Sequence, residues 1–131
     1  MRIQVKDFMS SPVITAVNTT TVAELRVIMS EKHIHGIPII EVTRQLPQNE
    51  IKILGIVTAK DLGLGVDPDD MADKVMTPNL HVVHKDSSAN AAAKLMLRHG
   101  CHHLVAMEDG GIVGMVSSLD FVRLVSEHTL D

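Results

Sequence analysis

Apolar positions along the chain follow one order of periods and then repeat it. "PVITAV" at Pro12–Val17 is short and β-branched, which predicts a strand. Val22, Leu25, Ile28 and Met29 follow at helical spacing, and Thr21 with Glu24 three residues later has the pattern of a capping box. "GIPIIEV" (Gly36–Val42) and "IKILGIVT" (Ile51–Thr58) predict an antiparallel strand pair. The second pass runs through "LHVV" (Leu80–Val83) and then Ala89, Ala92, Ala93 and Met96 behind Asp86–Ser88. It continues with the strands "HHLVAM" (His102–Met107) and "GIVGMVS" (Gly111–Ser117). A closing helix is clear in this second copy, where Phe121, Leu124, Val125 and His128 share a face; in the first it is short. Each copy therefore reads β-α-β-β-α, and the fold class expected is α+β with an α/β-like order.

The register between copies is constant over about two dozen residues and then shifts once. Met9 and Met76, Met29 and Met96, Ile34 and Cys101, and Ile37 and Leu104 stand 67 positions apart, whereas Gly55/Gly114 and Asp61/Asp120 stand 59 apart. The first copy thus carries 67 − 59 = 8 extra residues, within "EVTRQLPQNEIKI" (Glu41–Ile53), where Pro, Gln and Asn predict a lengthened hairpin connection. Gly, Pro and Asp cluster in "GLGVDPDDMAD" (Gly63–Asp73), which puts the boundary between repeats at 66/67, giving repeats 1–66 and 67–131. The acidic "DPDD" at Asp67–Asp70 reads as a solvated turn. A unit of this size buries too little apolar surface to be more than marginal alone, so the two repeats are expected to pack as one pseudo-symmetric pair.

Composition narrows the function. At 131 residues and 45 % hydrophobic, the chain supports a real core. Its apolar runs are too short to cross a bilayer and "MRIQVKDFMSSP" lacks a signal-peptide apolar region, so a cytoplasmic protein without membrane association is expected. One cysteine, Cys101, read as a free buried thiol, fits a reducing compartment. The net charge of −4, the lack of a dense Lys/Arg block and only two aromatic residues, both Phe, argue against nucleic acid as a partner.

The repeated string is "GIVTAKD" at Gly55–Asp61 and "GMVSSLD" at Gly114–Asp120. Taken once, Thr58-x-x-Asp61 or Ser117-x-x-Asp120 reads as a helix cap, hydroxyl and carboxylate satisfying free backbone N–H groups. Recurrence after a strand and into a helix shifts the reading toward a ligand, since this is where α/β folds expose free N–H groups. A carboxylate repels phosphate but accepts hydrogen bonds from two neighbouring hydroxyls, as on a ribose. Phosphates would then extend toward Thr58, Lys60, Ser117 and Ser118, with Lys32, His33, Arg98 and His99 ending the first helices nearby. A base would rest on the apolar side chains of "GIPI" and "HHLVA", stretches that include Ile37, Pro38, His103 and Leu104, with strand-end carbonyl and N–H groups able to read its edge.

With "MSSPV" and "MTPNL" opening the repeats, "IHGIPII", and "GIVTAKD" with "GMVSSLD", the chain resembles a tandem pair of CBS domains (named for cystathionine β-synthase), a Bateman module. The resemblance implies two β-α-β-β-α repeats related by a pseudo-two-fold axis, with adenosine-containing ligands such as AMP, ADP, ATP or S-adenosylmethionine in the clefts between them. It places the ribose-holding carboxylate on Asp61 and Asp120, the motif hydroxyl on Thr58 and Ser117, and the apolar-Pro step beside the base on Ile37-Pro38. The second copy has Leu104-Val105 there, Leu119 answers Lys60, and His102-His103 replace His35-Gly36, so two unequal sites are expected.

No metal centre is expected, because neighbouring residues of "HIH" (His33–His35) and "CHH" (Cys101–His103) point to opposite strand faces and lack further spaced ligands. No catalytic motif is present, so an enzyme is not expected. Met29, Met96, Met107 and Met115 read as packing, and Met9 and Met76 as candidates for the cleft mouths. The expected function is a non-enzymatic regulatory module whose output passes to an effector protein or through oligomeric state. The resemblance further implies a homodimer formed through helices, with Phe121, Leu124 and Val125 as the candidate contact. The alternative is a structural homodimer or adaptor without nucleotide, its motif Asp, Thr and Ser serving as caps.

Overall fold

The structure, a computed structural model, describes residues 2–45 and 48–128. In chain order its elements are α1 (Val5–Phe8), β1 (Ala16–Val17), α2 (Val22–Lys32), β2 (Gly36–Gln45), β3 (Gln48–Thr58), a 3-10 turn (Ala59–Leu62) and α3 (Ala72–Val75). They continue with β4 (Thr77–Pro78), β5 (His81–His84), α4 (Ala89–His99), β6 (His103–Glu108), β7 (Gly111–Ser117) and α5 (Ser118–Glu127). The α+β class expected from the periodicity is the one observed. One sheet has the order β1-β2-β3-β4 and a second the order β5-β6-β7.

The long helices start and stop where local chemistry dictates. Thr21 Oγ1 accepts from the Glu24 N–H at 3.2 Å and Ser88 Oγ from the Ala91 N–H at 3.1 Å, so each hydroxyl satisfies one free donor of the first turn. Both helices end on a left-handed residue, His33 (φ 54°) for α2 and Gly100 (φ 61°) for α4. Between these caps α2 buries Val22, Leu25 and Met29, and α4 buries Ala89, Ala92 and Met96. The closing helix α5 is long, whereas its counterpart is the single turn Ala59–Leu62; Gly63, Gly65 and Pro68 follow it and oppose helix propagation.

Two stretches differ from expectation. Of Pro12–Val17 only Ala16–Val17 pair, parallel with Ile39 and Ile40. Pro12 has no N–H to give a ladder, and two residues before it Ser10 pairs with Met115 instead. The residues expected as a lengthened connection are largely paired strand: the β2–β3 ladder runs out to Gln45↔Gln48, so the insertion lengthens the hairpin arms. Leu46 and Pro47, part of that expected connection, lie outside the described residues.

The chain forms two compact units that do not follow the sequence halves. One comprises residues 14–80 and the other residues 1–13 with 81–131. In the first, Ala16, Val22, Leu25, Met29, Ile37, Ile39, Val57, Leu62 and Ala72 form the core. In the second the core joins Val5 and Phe8 from the N-terminal segment to Ala89, Ala92, Met96, Leu104, Ala106 and Val116. The same capping recurs in both. The N–H of Val22 donates to Asp70 O at 2.8 Å and that of Ala89 to Ile3 O at 2.8 Å, while the N–H of Ala72 donates to Thr20 O and that of Val5 to Ser87 O. These partners are again 67 positions apart. "DPDD" is therefore more than a solvated turn, because the Pro68 and Asp70 carbonyls cap α2. In the second unit Lys6 Nζ also lies 3.0 Å from Asp86 Oδ1, an exposed pair whose hydrogen bond raises the Lys6 ammonium and lowers the Asp86 carboxyl from their ordinary ranges.

Candidate functional site

Gly55 and Gly114 begin the repeated strings for a steric reason. A Cβ on Gly55 would overlap the Thr77 carbonyl oxygen and crowd Met76 and Pro78; one on Gly114 would overlap the Met9 side chain. The closeness is imposed by short antiparallel pairings, Gly55↔Pro78 in one unit and Ser10↔Met115 in the other. Met9 and Met76, expected near cleft mouths, are thus packed against the motif glycines, each within its own unit. Both hairpins carry an irregularity at the same step, between Ile39 and Ile40 and between Ala106 and Met107, directly opposite the glycine.

Three residues beyond each glycine the strand ends in a hydroxyl residue with extended backbone, Thr58 (φ −104°, ψ 165°) and Ser117 (φ −112°, ψ 164°). The next N–H is tied back across the hairpin, Ala59 to His35 O at 3.0 Å and Ser118 to His102 O at 3.0 Å. The motif carboxylate then folds over the turn. Asp61 Oδ2 accepts the Thr58 N–H at 2.8 Å and the Thr58 hydroxyl at 3.0 Å. Asp120 Oδ2 accepts the Ser117 N–H at 2.8 Å and its hydroxyl at 3.3 Å, and the Asp120 N–H returns to Ser117 Oγ at 3.4 Å. The capping geometry predicted from spacing is therefore present twice.

The expected site residues fall into two groups. Thr58 and Asp61 are half-buried at the end of β3 with Lys60 exposed between them, and Ser117, Ser118 and Asp120 form the corresponding corner at the end of β7. His103 is half-buried and pairs with Ser117 in the ladder, as Gly36 pairs with Thr58. Ile37 and Leu104 are instead core residues of their units, and Pro38 is also fully buried. His99 stacks on His81, ring centroids 3.7 Å apart, which engages it at β5. Among the described residues no three His, Cys, Asp or Glu side chains converge as metal ligands do, and no helix is long and apolar enough to cross a membrane. Cys101 is free and half-buried.

Sequence reasoning missed Arg123. Its Nη2 lies 2.8 Å from Asp120 Oδ1 and 3.5 Å from Phe8 O. The signal was available: three residues after Asp120 stands Arg123, and three after Asp61 stands Leu64. The face of Phe121, Leu124 and Val125 expected on the closing helix lines an apolar groove of about 440 Å³ in the second unit, to which α4 adds Ala93 and Leu97, residues the sequence reading had not placed there.

Comparison with known proteins bears on the repeats and on the fold. The family model described as CBS domain matches residues 5–62 and again 72–127. Among solved structures, the CBS domain pair of protein MJ0100 in complex with 5′-methylthioadenosine and S-adenosyl-L-methionine is 26 % identical, with TM-score 0.80, covering 97 % of this chain and 98 % of that one. A putative acetoin utilization protein (AcuB) from Vibrio cholerae has the same fold at 23 % identity and TM-score 0.74, covering 97 % and 93 % of the two chains. Among curated proteins, uncharacterized protein MJ0188 of Methanocaldococcus jannaschii is 27 % identical over 98 % of this chain. The chain spans 46 % of that relative and 34 % of a second, MJ1232, from the same organism.

Proposed function

Because the chain belongs to the CBS domain family and carries two copies of that domain, we propose that it is a non-enzymatic regulatory module that binds an adenosine-containing ligand. AMP, ADP, ATP and S-adenosylmethionine are the ligands of the class. The observation that carries the reading is Asp61. One carboxylate oxygen is saturated by Thr58, and the other has no hydrogen-bond partner among the described residues, on a half-buried side chain at a strand end. A ribose diol matches such an acceptor, and hydrogen bonds to a charged group are worth about 1.5–3 kcal/mol each. The hydroxyls of Thr58, Ser117 and Ser118 and the exposed Lys60 ammonium stand beside the two corners, where phosphates would lead away from the carboxylates. Support from outside the chain is the related pair solved with two adenosine derivatives.

Binding transmits a signal only through unequal affinity for two states, so the output is a change in oligomeric state or in contact with a separate effector protein, within the cytoplasm. A homodimer is part of the proposal. Its favouring observation is apolar surface left exposed on α4 and α5, Leu97 on the first and Leu119, Val122 and Val125 on the second; of the contact expected from the sequence Val125 is exposed, whereas Phe121 and Leu124 pack against the core of their unit. The same face supports the second reading, an adaptor with no nucleotide in which Asp61 and Asp120 only cap their turns.

Calorimetric melts with AMP, ADP, ATP and S-adenosylmethionine separate the two. A ligand at 100 times its dissociation constant adds about 2.7 kcal/mol of stability. A rise in Tm with at least one of the four is expected; no shift with any at millimolar concentration overturns the nucleoside reading in favour of the adaptor.

A further inference from the structure

The two motif carboxylates are built alike at one oxygen and differently at the other. Oδ2 of each is taken by the N–H and hydroxyl of its own capping residue. Oδ1 of Asp120 accepts Arg123 Nη2 at 2.8 Å, whereas three residues beyond Asp61 stands Leu64, fully exposed and without a donor. The exposures agree with this difference: the Asp120 side chain is 8 % exposed beneath the guanidinium, and Asp61 is half-buried.

A carboxylate that receives a ribose diol must offer an oxygen not already in use. At Asp120 that oxygen is held by a charge-assisted hydrogen bond, the strong class of such bonds, from a group three residues away that needs no loop closure to reach it. We infer that Arg123 is an internal competitor for the ribose position at Asp120, so that the Asp61 corner is open and the Asp120 corner is latched. Arg123 itself is 56 % exposed. The guanidinium can therefore leave without opening the core, which makes the contact a displaceable latch. It sets the relative affinity of the two corners and rests on the nucleoside reading of both Asp residues.

The test is isothermal titration of the full chain with AMP and, in a parallel arm, S-adenosylmethionine. Wild type is expected to bind one equivalent, and Asp61→Asn to abolish it. Arg123→Gln is expected to add a second equivalent, its affinity raised about tenfold or more over the latched corner. Asp61→Asn/Arg123→Gln should recover one equivalent, which the further change Asp120→Asn removes. Arg123→Lys keeps the charge without the planar guanidinium and should give an intermediate affinity, a control that changes side-chain length little. Two equal equivalents in wild type, full binding by Asp61→Asn, or an Arg123→Gln variant with unchanged or weakened binding would overturn the latch while leaving the nucleoside reading in place. No binding by wild type or by Arg123→Gln overturns both.

Discussion

Gly55 and Gly114 occupy the same place in their hairpins but are required for different atoms, and the difference sets what each tolerates. The atom nearest a Cβ on Gly55 is the Thr77 carbonyl oxygen, fixed by the β3–β4 ladder, whereas a Cβ on Gly114 meets the flexible end of Met9. Overpacking a tight site costs about 1–3 kcal/mol, the upper end applying where only backbone can move. Gly55→Ala is therefore expected to destabilise the protein by about 3 kcal/mol and Gly114→Ala by about 1 kcal/mol. Urea denaturation of the two variants measures this, and equal losses would contradict the assignment. The glycines were legible in the sequence as part of a repeated string. Their cause was not, since Thr77 and Met9 lie far from them along the chain.

The helices show where local chemistry suffices and where it does not. Thr21 was readable as a cap because capping involves only residues i to i+3, and it accepts the Glu24 N–H; Ser88, at the end of the Asp86–Ser88 stretch that marked the start of α4, accepts the Ala91 N–H in the same way. The C-termini carry an inequality that the repeat alignment exposes: α2 ends on His33 and α4 on Gly100, both left-handed. A residue with a Cβ pays about 1–2 kcal/mol for this conformation, partly offset because glycine gains more freedom on unfolding. Gly100→Ala should thus lower stability by roughly 1 kcal/mol, and His33→Gly should raise it by roughly 0.5 kcal/mol. Opposite signs in the two melts are the diagnostic result. The hairpin β2–β3 was misread as a long connection because Pro, Gln and Asn are turn formers by composition. Pairing of Glu41 through Gln45 with residues across the hairpin overrides that local preference.

At the scale of the molecule, the repeat written in the sequence and the unit that packs are different objects. A constant offset of 67 identifies equivalent segments, but it cannot say which core each one serves, because that is decided by contacts distant in sequence. Residues 1–13 supply Val5 and Phe8 to the core they share with residues 81–131, and residues 67–80 supply Ala72, the α2 caps and strand β4 to the unit of residues 14–80. Cutting at 66/67 therefore removes from the first repeat the carbonyls of Pro68 and Asp70 that cap α2, and leaves the edge of β3 unpaired. A cut after Leu80 keeps both. A fragment of residues 14–80 is expected to be more ordered than one of residues 1–66, and residues 67–131 to gain helix when a peptide of residues 1–13 is added. Far-UV circular dichroism and amide chemical-shift dispersion of the three fragments decide it. Equal order in 14–80 and 1–66, or no response of 67–131 to the peptide, would mean that the sequence repeat is itself the folding unit. The expected outcome makes the N-terminal segment part of the Ser117–Asp120 corner's own support, since Arg123 reaches the Phe8 carbonyl from the same guanidinium nitrogen that holds Asp120. Loss of residues 1–13 should then loosen the latch as well as the core.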